Sequence, residues 1–281
     1  MTTFHASKFP VLIIGGTGKT GRRVAERLTA QGVPVRIGSR SASPAFDWEN
    51  PESWATALEG VSAAYITYYP DLAVPGSADA IGNLARLAVR KGVTRLVLLS
   101  GRGEPEAQRA EQALRASGAD WTIVRASWFM QNFSENMLLG PILAGEMALP
   151  VSSVREPFIH ADDIADVVIA ALTDDRHVGQ LYEVTGPRML TFAEATGEIA
   201  KASGRTIDYR TITPEEFMHG LEQEQVPADI AALVNELFTV VLDGRNEYLT
   251  DGVQKALGRK PRDFADYARE TAATGIWEGA K

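Results

Sequence analysis

Residues 11–21, VLIIGGTGKTG, constrain this chain more than any other stretch. Val11–Ile14 is a short unbroken apolar run rich in β-branched side chains, the pattern of a strand buried on both faces of a parallel sheet. Gly15, Gly16, Gly18 and Gly21 follow, and an amphipathic segment opens directly behind them with Arg22, Val24 and Leu28. The glycines satisfy G-x-x-G-x-x-G from Gly15 and G-x-G-x-x-G from Gly16. Strand, glycine turn and helix in that order form the setting in which such a pattern binds a dinucleotide. One glycine makes the tight turn, one lets the backbone approach the pyrophosphate, and one lets helix and strand touch. The helix N-terminus adds free N–H groups and a positive dipole end, and Thr17, Lys19 and Thr20 belong to the same loop. Gly18-Lys19-Thr20 also spells the end of a P-loop. That motif needs a glycine five positions before Gly18, where Ile13 stands, so it is excluded.

The same punctuation recurs down the first half. Helix-like segments end at Gly32-Val33, Gly60-Val61, Gly92-Val93 and Gly118-Ala119, each leading into a strand: VPVRIGS, VSAAYIT, VTRLVLLS and ADWTIVR. Glycine just past a helix C-terminus takes the left-handed turn there. Asn50-Pro51 predicts a cap and a first-turn proline for a helix over 52–59. The fold class that follows is α/β, a Rossmann-type doubly wound parallel sheet. After Arg125 the texture changes. Residues 128–150 read as an apolar helix and a loop, and Phe158-Ile159-His160, 161–173 and 181–184 as further pieces of the main sheet. Thr191 with Glu194 and Thr213 with Glu216 are capping boxes. One helix stops at Pro227, another runs to about Asp243, and a last covers 263–274. The expected division is a nucleotide domain over 1–128 completed by 157–187, with 129–156 and 188–281 forming a small, mostly helical substrate lobe.

Composition narrows the function classes. The 281 residues suffice for a nucleotide domain with a smaller lobe. Cysteine is absent, which excludes disulfides, thiolate metal sites and a thiol nucleophile and fits a cytoplasmic protein. The first ten residues lack the apolar core of a secretory signal, and no stretch reaches the roughly 18 apolar residues of a membrane span. A net charge of −8 without a Lys/Arg cluster argues against nucleic acid. His160, Asp162 and Asp163 suggest a metal only superficially. The two acids suit a helix N-terminus, and no metal is expected.

The end of the second strand selects the dinucleotide. An NAD site wants an acidic side chain there for the ribose 2′-OH, whereas this chain offers Ser39-Arg40-Ser41. A guanidinium flanked by hydroxyls, with Lys19 able to assist, matches a 2′-phosphate and points to NADP(H).

The chain resembles the NmrA-like group of atypical short-chain dehydrogenases/reductases nearly end to end. The residues that carry the resemblance are VLIIGGTGKTG, ASGADWTIVRASWFMQNF at 116–133, FIHADDIADVVIAALTD at 158–174 and LYEVTGPRMLTFAEAT at 181–196. The resemblance implies an extended-type Rossmann domain whose cleft a small C-terminal lobe closes. It places the glycine loop, Arg40, Thr67–Tyr69 and Ser100-Gly101 on the cofactor, Asp47-Trp48 by the adenine, and the stretch from Ala126 to Phe129 near the nicotinamide. Trp128, Phe129, Met130 and Phe133 read as core or as the lining of an aromatic-substrate pocket, and Gln131 and Asn132 as substrate-orienting or turn-capping residues.

One departure decides the chemistry. Short-chain reductases usually protonate a carbonyl through a Tyr-x-x-x-Lys pair beyond the residue that Ser100 matches. Residues 101–117, GRGEPEAQRAEQALRAS, hold neither tyrosine nor lysine. Alkoxide formation needs a proton donor, so simple ketone reduction is disfavoured, and a nucleotide-retaining epimerase or dehydratase with it. A quinone, an iminium or a cationic dye accepts hydride to give a far less basic product, as the quinone and triphenylmethane reductases of the family suggest. Tyr68, Tyr69 and His160 are the candidate catalytic residues that remain. The expected function is an NADPH-dependent reductase of an electron-poor aromatic small molecule, working as a monomer or homodimer. The alternative is a non-catalytic NADP(H) sensor of the NmrA type that signals to a protein partner.

Overall fold

The computed structural model describes residues 9–135 and 137–279. The chain divides into two compact units. The first takes the chain up to Ala126, then Ala161–Val184 and Gly252–Arg259; the second takes Ser127–His160, Thr185–Asp251 and the chain from Lys260 on.

In chain order the first unit begins with β1 (Val11–Ile14), α1 (Lys19–Ala30), β2 (Val35–Gly38), α2 (Glu52–Ala57), β3 (Ala63–Ile66) and α3 (Ser77–Arg90). It continues with β4 (Arg95–Gly101), α4 (Pro105–Arg115) and β5 (Asp120–Ala126). The second unit opens with α5 (Asn132–Glu135), α6 (Leu139–Ala144), β6 (Glu146–Leu149) and β7 (Arg155–Glu156). The helix α7 (Ala161–Thr173) and strand β8 (Gln180–Val184) return to the first. Next come β9 (Leu190–Thr191), α8 (Phe192–Ser203), β10 (Asp208–Thr211), α9 (Pro214–Gln223) and α10 (Ala228–Glu236), which runs on as a π-helical turn. The short α11 (Gly252–Leu257) belongs to the first unit and α12 (Phe264–Ala272) to the second.

Six parallel strands in the order β2-β1-β3-β4-β5-β8 form the sheet of the first unit. Val11 pairs with Val35 on one side and Ala63 on the other, so the winding reverses at β1. Open α/β sheets bind ligands at the carboxyl edge of such a reversal. Alternate strand residues, Leu12, Ile14, Ala64, Ile66, Leu96 and Leu98, share a core with Trp54, Ile81 and Leu114 of α2, α3 and α4. On the opposite face α1 packs on α7, and α7 lies against β3, β4 and β5. Helices therefore cover both faces, as expected of a doubly wound sheet. Gly32, Gly60, Gly92 and Gly118 all have positive φ, between 67° and 84°, so the punctuation marks left-handed helix ends.

Several expectations are corrected. Residues 158–160 are not in the main sheet: Ile159 forms an isolated bridge with Phe129 inside the second unit. The bonds Met130 N–H to Ile159 C=O and Ile159 N–H to Trp128 C=O, both 2.9 Å, hold 128–130 extended. The expected helix there is thus reduced to α5 and α6, the latter ending at Gly145 with φ 83°. Asn50 does not cap α2 with its side chain. Pro51 takes the cap position itself, and the helix ends at Ala57. The return of α11 has no composition signal, but its first residue explains it. A Cβ on Gly252 would lie 2.1 Å from the Glu183 carbonyl oxygen, so only glycine lets α11 approach β8.

The second unit is held by aromatic contacts. Phe133 meets Phe158, Phe192 and Phe264 at centroid distances of 5.5–6.0 Å. Trp277 is fully buried with its indole N–H on the Phe133 carbonyl. Both expected capping boxes are present, opening α8 and α9. Among the described residues no helix is long and apolar enough to cross a membrane.

Candidate functional site

The loop between β1 and α1 uses its glycines for different ends. Gly15 has φ 71°, and a Cβ there would fall 2.0 Å from Thr67 Oγ1. A Cβ on Gly21 would come within 2.2 Å of the Gly15 carbonyl oxygen, and one on Gly16 within 2.8 Å of Ile37. These three glycines are required by the fold itself. Gly18 differs: its φ is −78°, and a Cβ would meet only the Gly15 carbonyl oxygen, at 3.2 Å. It is the N-cap of α1, no side chain caps that helix, and its first turn holds no acid. The arrangement fits a pyrophosphate, since the positive end of α1 is left to an anion. Thr17 is exposed and Lys19 half-buried beside it. Thr20 behaves otherwise than expected. Its hydroxyl is buried and accepts a 2.9 Å bond from Tyr65, so this side chain serves the core.

The ends of β2 and β3 flank that loop. Arg40 is exposed, and among the described residues no carboxylate pairs with it; its guanidinium carbon lies 5.8 Å from the Tyr69 ring centroid. Ser39 and Ser41 place their hydroxyls 3.3 Å apart. Trp48 donates to the Thr67 carbonyl at 3.1 Å and packs on Tyr68 at 4.7 Å, while Thr67 Oγ1 donates to the Ile14 carbonyl. Asp47 accepts the backbone N–H of Glu49 on its carboxylate and the Trp54 indole on its carbonyl. Burial first, and the charge of Glu49 second, push the Tyr68 phenol above its ordinary pKa, so it stays protonated and a weak acid at neutral pH.

At the ends of β4 and β5 the sequence reading missed a buried charge network. Ser100 donates to Glu111 at 2.7 Å, and Glu111 accepts two bonds from Arg125, at 2.9 and 2.6 Å. Arg125 also reaches Glu183, which accepts from Arg102 at 2.9 Å. The bond to Glu111, above all, keeps Arg125 charged. The hydroxyl of Ser100 thus donates its proton to the protein. A Cβ on Gly101 would meet the Glu104 carboxylate at 2.1 Å, so that flexible side chain would have to move aside. Ala126 ends β5 with its carbonyl accepting from Arg102. Glu111 had a sequence signal: it stands at helical spacing with the buried Ala107 and Leu114 of α4.

The candidates in the second unit separate cleanly. Met130 and Phe133 have no exposed surface, so they pack the aromatic core instead of lining an accessible pocket. Trp128 and Phe129 remain half-buried, Trp128 against Phe192 and Phe238. His160 is buried, accepts from the Gln131 amide at 2.9 Å and stacks edge-on against Tyr267. Gln131 therefore holds a histidine. Back in the first unit, Asp162 pairs with Arg23 and Arg27, and Asp163 with Arg259. Among the described residues no cluster suits a metal.

Residues 15–175 match the NAD(P)H-binding family and residues 106–268 the NmrA-like family, each more than half of the chain. The chain belongs to the NmrA-like family. Its similarity to YesF, an uncharacterized oxidoreductase of Bacillus subtilis (strain 168), is 32% identity over 95% of this chain and 98% of that protein. An NAD(P)H azoreductase of Xenophilus azovorans is 29% identical over 94% of this chain and 98% of its own. Among solved structures, an NADPH-dependent quinone oxidoreductase of Escherichia coli in complex with NADPH has a TM-score of 0.78 at 19% identity, covering 92% of this chain and 99% of that one. This NmrA-like chain carries an NAD(P)H-binding region, and curated relatives that match it over nearly their whole length bear the names of oxidoreductases.

Proposed function

We propose that this NmrA-like protein is a reductase that uses NADPH in preference to NADH and passes hydride to a quinone-like or other electron-poor aromatic or iminium compound without a Tyr-x-x-x-Lys relay. The observation that carries the reading is α4. Its one fully buried polar side chain, Glu111, is committed to Arg125 and Ser100, and it presents neither a phenol nor an ammonium. The names of the azoreductase and quinone oxidoreductase relatives agree with acceptors of this kind.

When bound, the dihydronicotinamide supplies one hydride, two electrons with a proton. Reduction of a quinone then takes one further proton, which water provides because the product oxyanion is delocalised and weakly basic. The work left to the protein is positioning in a water-poor site. Gly18 and the entrance of α1 receive the pyrophosphate; Arg40, with Ser39 and Ser41, receives the 2′-phosphate. Trp48, Thr67 and Tyr68 would lie toward the adenosine.

Calorimetry with both reduced cofactors, followed by turnover on a panel of quinones, azo dyes and triphenylmethane dyes, tests the reading. NADPH is expected to bind more tightly than NADH, and Arg40→Glu to reverse the order with a loss of about tenfold or more for NADPH. Gly18→Val is expected to abolish binding of both in a folded protein. Rates with a quinone are expected to vary little between about pH 6 and 8, and Tyr68→Phe or His160→Asn to cost far less than the 10²–10⁴-fold of a lost general acid. Equal affinity for the two cofactors would remove Arg40 from the site. Tight NADPH binding with no turnover on any acceptor would favour the sensor.

A further inference from the structure

The ends of β2 and β3 are not neighbours. Both strands pair with β1, which separates them by two strand spacings, about 10 Å. Nevertheless the Arg40 side chain, beyond β2, and the Tyr69 ring, beyond β3, meet at 5.8 Å. Tyr69 is 67% exposed, so ordinary core packing does not account for its place. The ring of Tyr68, by contrast, turns inward onto Trp48. Arginine carries many rotamers, and one without a carboxylate partner loses that freedom when it grips a phosphate. An aromatic face beneath the guanidinium removes part of this cost beforehand.

From this geometry we infer that Tyr69 is a specificity-determining residue: its ring holds Arg40 in the orientation that receives the 2′-phosphate, and so contributes to the choice of NADPH over NADH. The inference rests on the reading of Arg40 given above. It assigns a positioning role to Tyr69, which the sequence offered only as one of three candidate catalytic residues. The phenolic oxygen has no part in it, since only the π-face is used. The side chain should therefore matter to one cofactor and not the other, and should tolerate loss of its hydroxyl.

The test is a double-mutant cycle read by calorimetry on the full chain. Tyr69→Phe is expected to leave both affinities unchanged. Tyr69→Leu, similar in bulk but without a ring, is expected to weaken NADPH about three- to fivefold and to leave NADH unchanged. In an Arg40→Ala background the Tyr69→Leu step is expected to have no effect on NADPH, because the two residues act as one. Equal weakening of both cofactors by Tyr69→Leu would overturn the inference and place the ring on the adenosine common to both. A loss with Tyr69→Phe equal to that with Tyr69→Leu would overturn it in favour of the hydroxyl. If Arg40→Ala alone moves the NADPH/NADH ratio and Tyr69→Leu does not, only this inference fails; if Arg40→Ala moves nothing, the reading beneath it fails.

Discussion

The two units solve burial in opposite ways. The first packs aliphatic residues between a parallel sheet and helices, then pins its strand ends and helix faces with ion pairs: Arg125 with Glu111, Arg102 with Glu183, Arg27 with Asp166. The second gathers Phe133, Phe158, Phe192, Phe238, Phe264 and Trp277 into one aromatic cluster. Regular strands and helices bring side chains together by register, and there a charge pair can fix one strand end against the next. Short elements such as α5, β7 and β9 have little register to offer. Large rings supply the buried area and the directional edge-to-face contacts that regular pairing would otherwise give. The difference teaches that one chain can be ordered by backbone repetition in one unit and by side-chain bulk in another.

The largest effect is expected where bulk is removed. Phe133→Ala takes a fully buried ring from contact with three other rings and is expected to cost about 3–5 kcal/mol of stability, measured by urea denaturation. A loss under about 1 kcal/mol would mean that the cluster relaxes freely and is not the framework of the second unit. Next comes Glu111→Ala, which strands the Arg125 guanidinium and the Ser100 hydroxyl. About 3 kcal/mol is expected, at the low end for a buried pair because Glu183 still faces Arg125. If Glu111→Gln, with the shape kept, is as harmful as Glu111→Ala, charge is what matters at that position; if it is nearly silent, packing is.

The smallest effect concerns pH. His177 is buried in the first unit with its Nδ1 2.7 Å from the Tyr182 hydroxyl, and burial, first, lowers its pKa. A depressed histidine binds its proton less readily folded than unfolded. Its neutral form therefore contributes fully above the unfolded value near 6.5, and that stability is lost as pH falls through it toward the lower folded pKa. His177→Gln is expected to reduce the difference in urea midpoint between pH 7 and pH 5. An unchanged difference would show that the carboxylates of the ion pairs carry the acid sensitivity alone.

Sequence by itself determined the elements whose physics is local. The β1–glycine–α1 unit, the four left-handed helix ends, α7 and both capping boxes were legible because each depends on residues a few positions apart. Arg40 was legible for the same reason, standing at the end of a strand that the pattern located. Tertiary structure alone decided the rest. Met130 and Phe133 read as core or as pocket lining, and only the contacts of Phe158, Phe192 and Phe264, from three distant segments, show Phe133 packed in the core. Ser100 and Thr20 lay at the right strand and loop for a cofactor, yet Glu111 and Tyr65 claimed their hydroxyls from the protein side. Tyr69 was one candidate among three in the sequence, and only the fold brought Arg40, from beyond a strand two places away, over its ring. A side chain's position along the chain follows from local pattern, whereas the direction of its polar atom depends on whichever remote group offers the better partner.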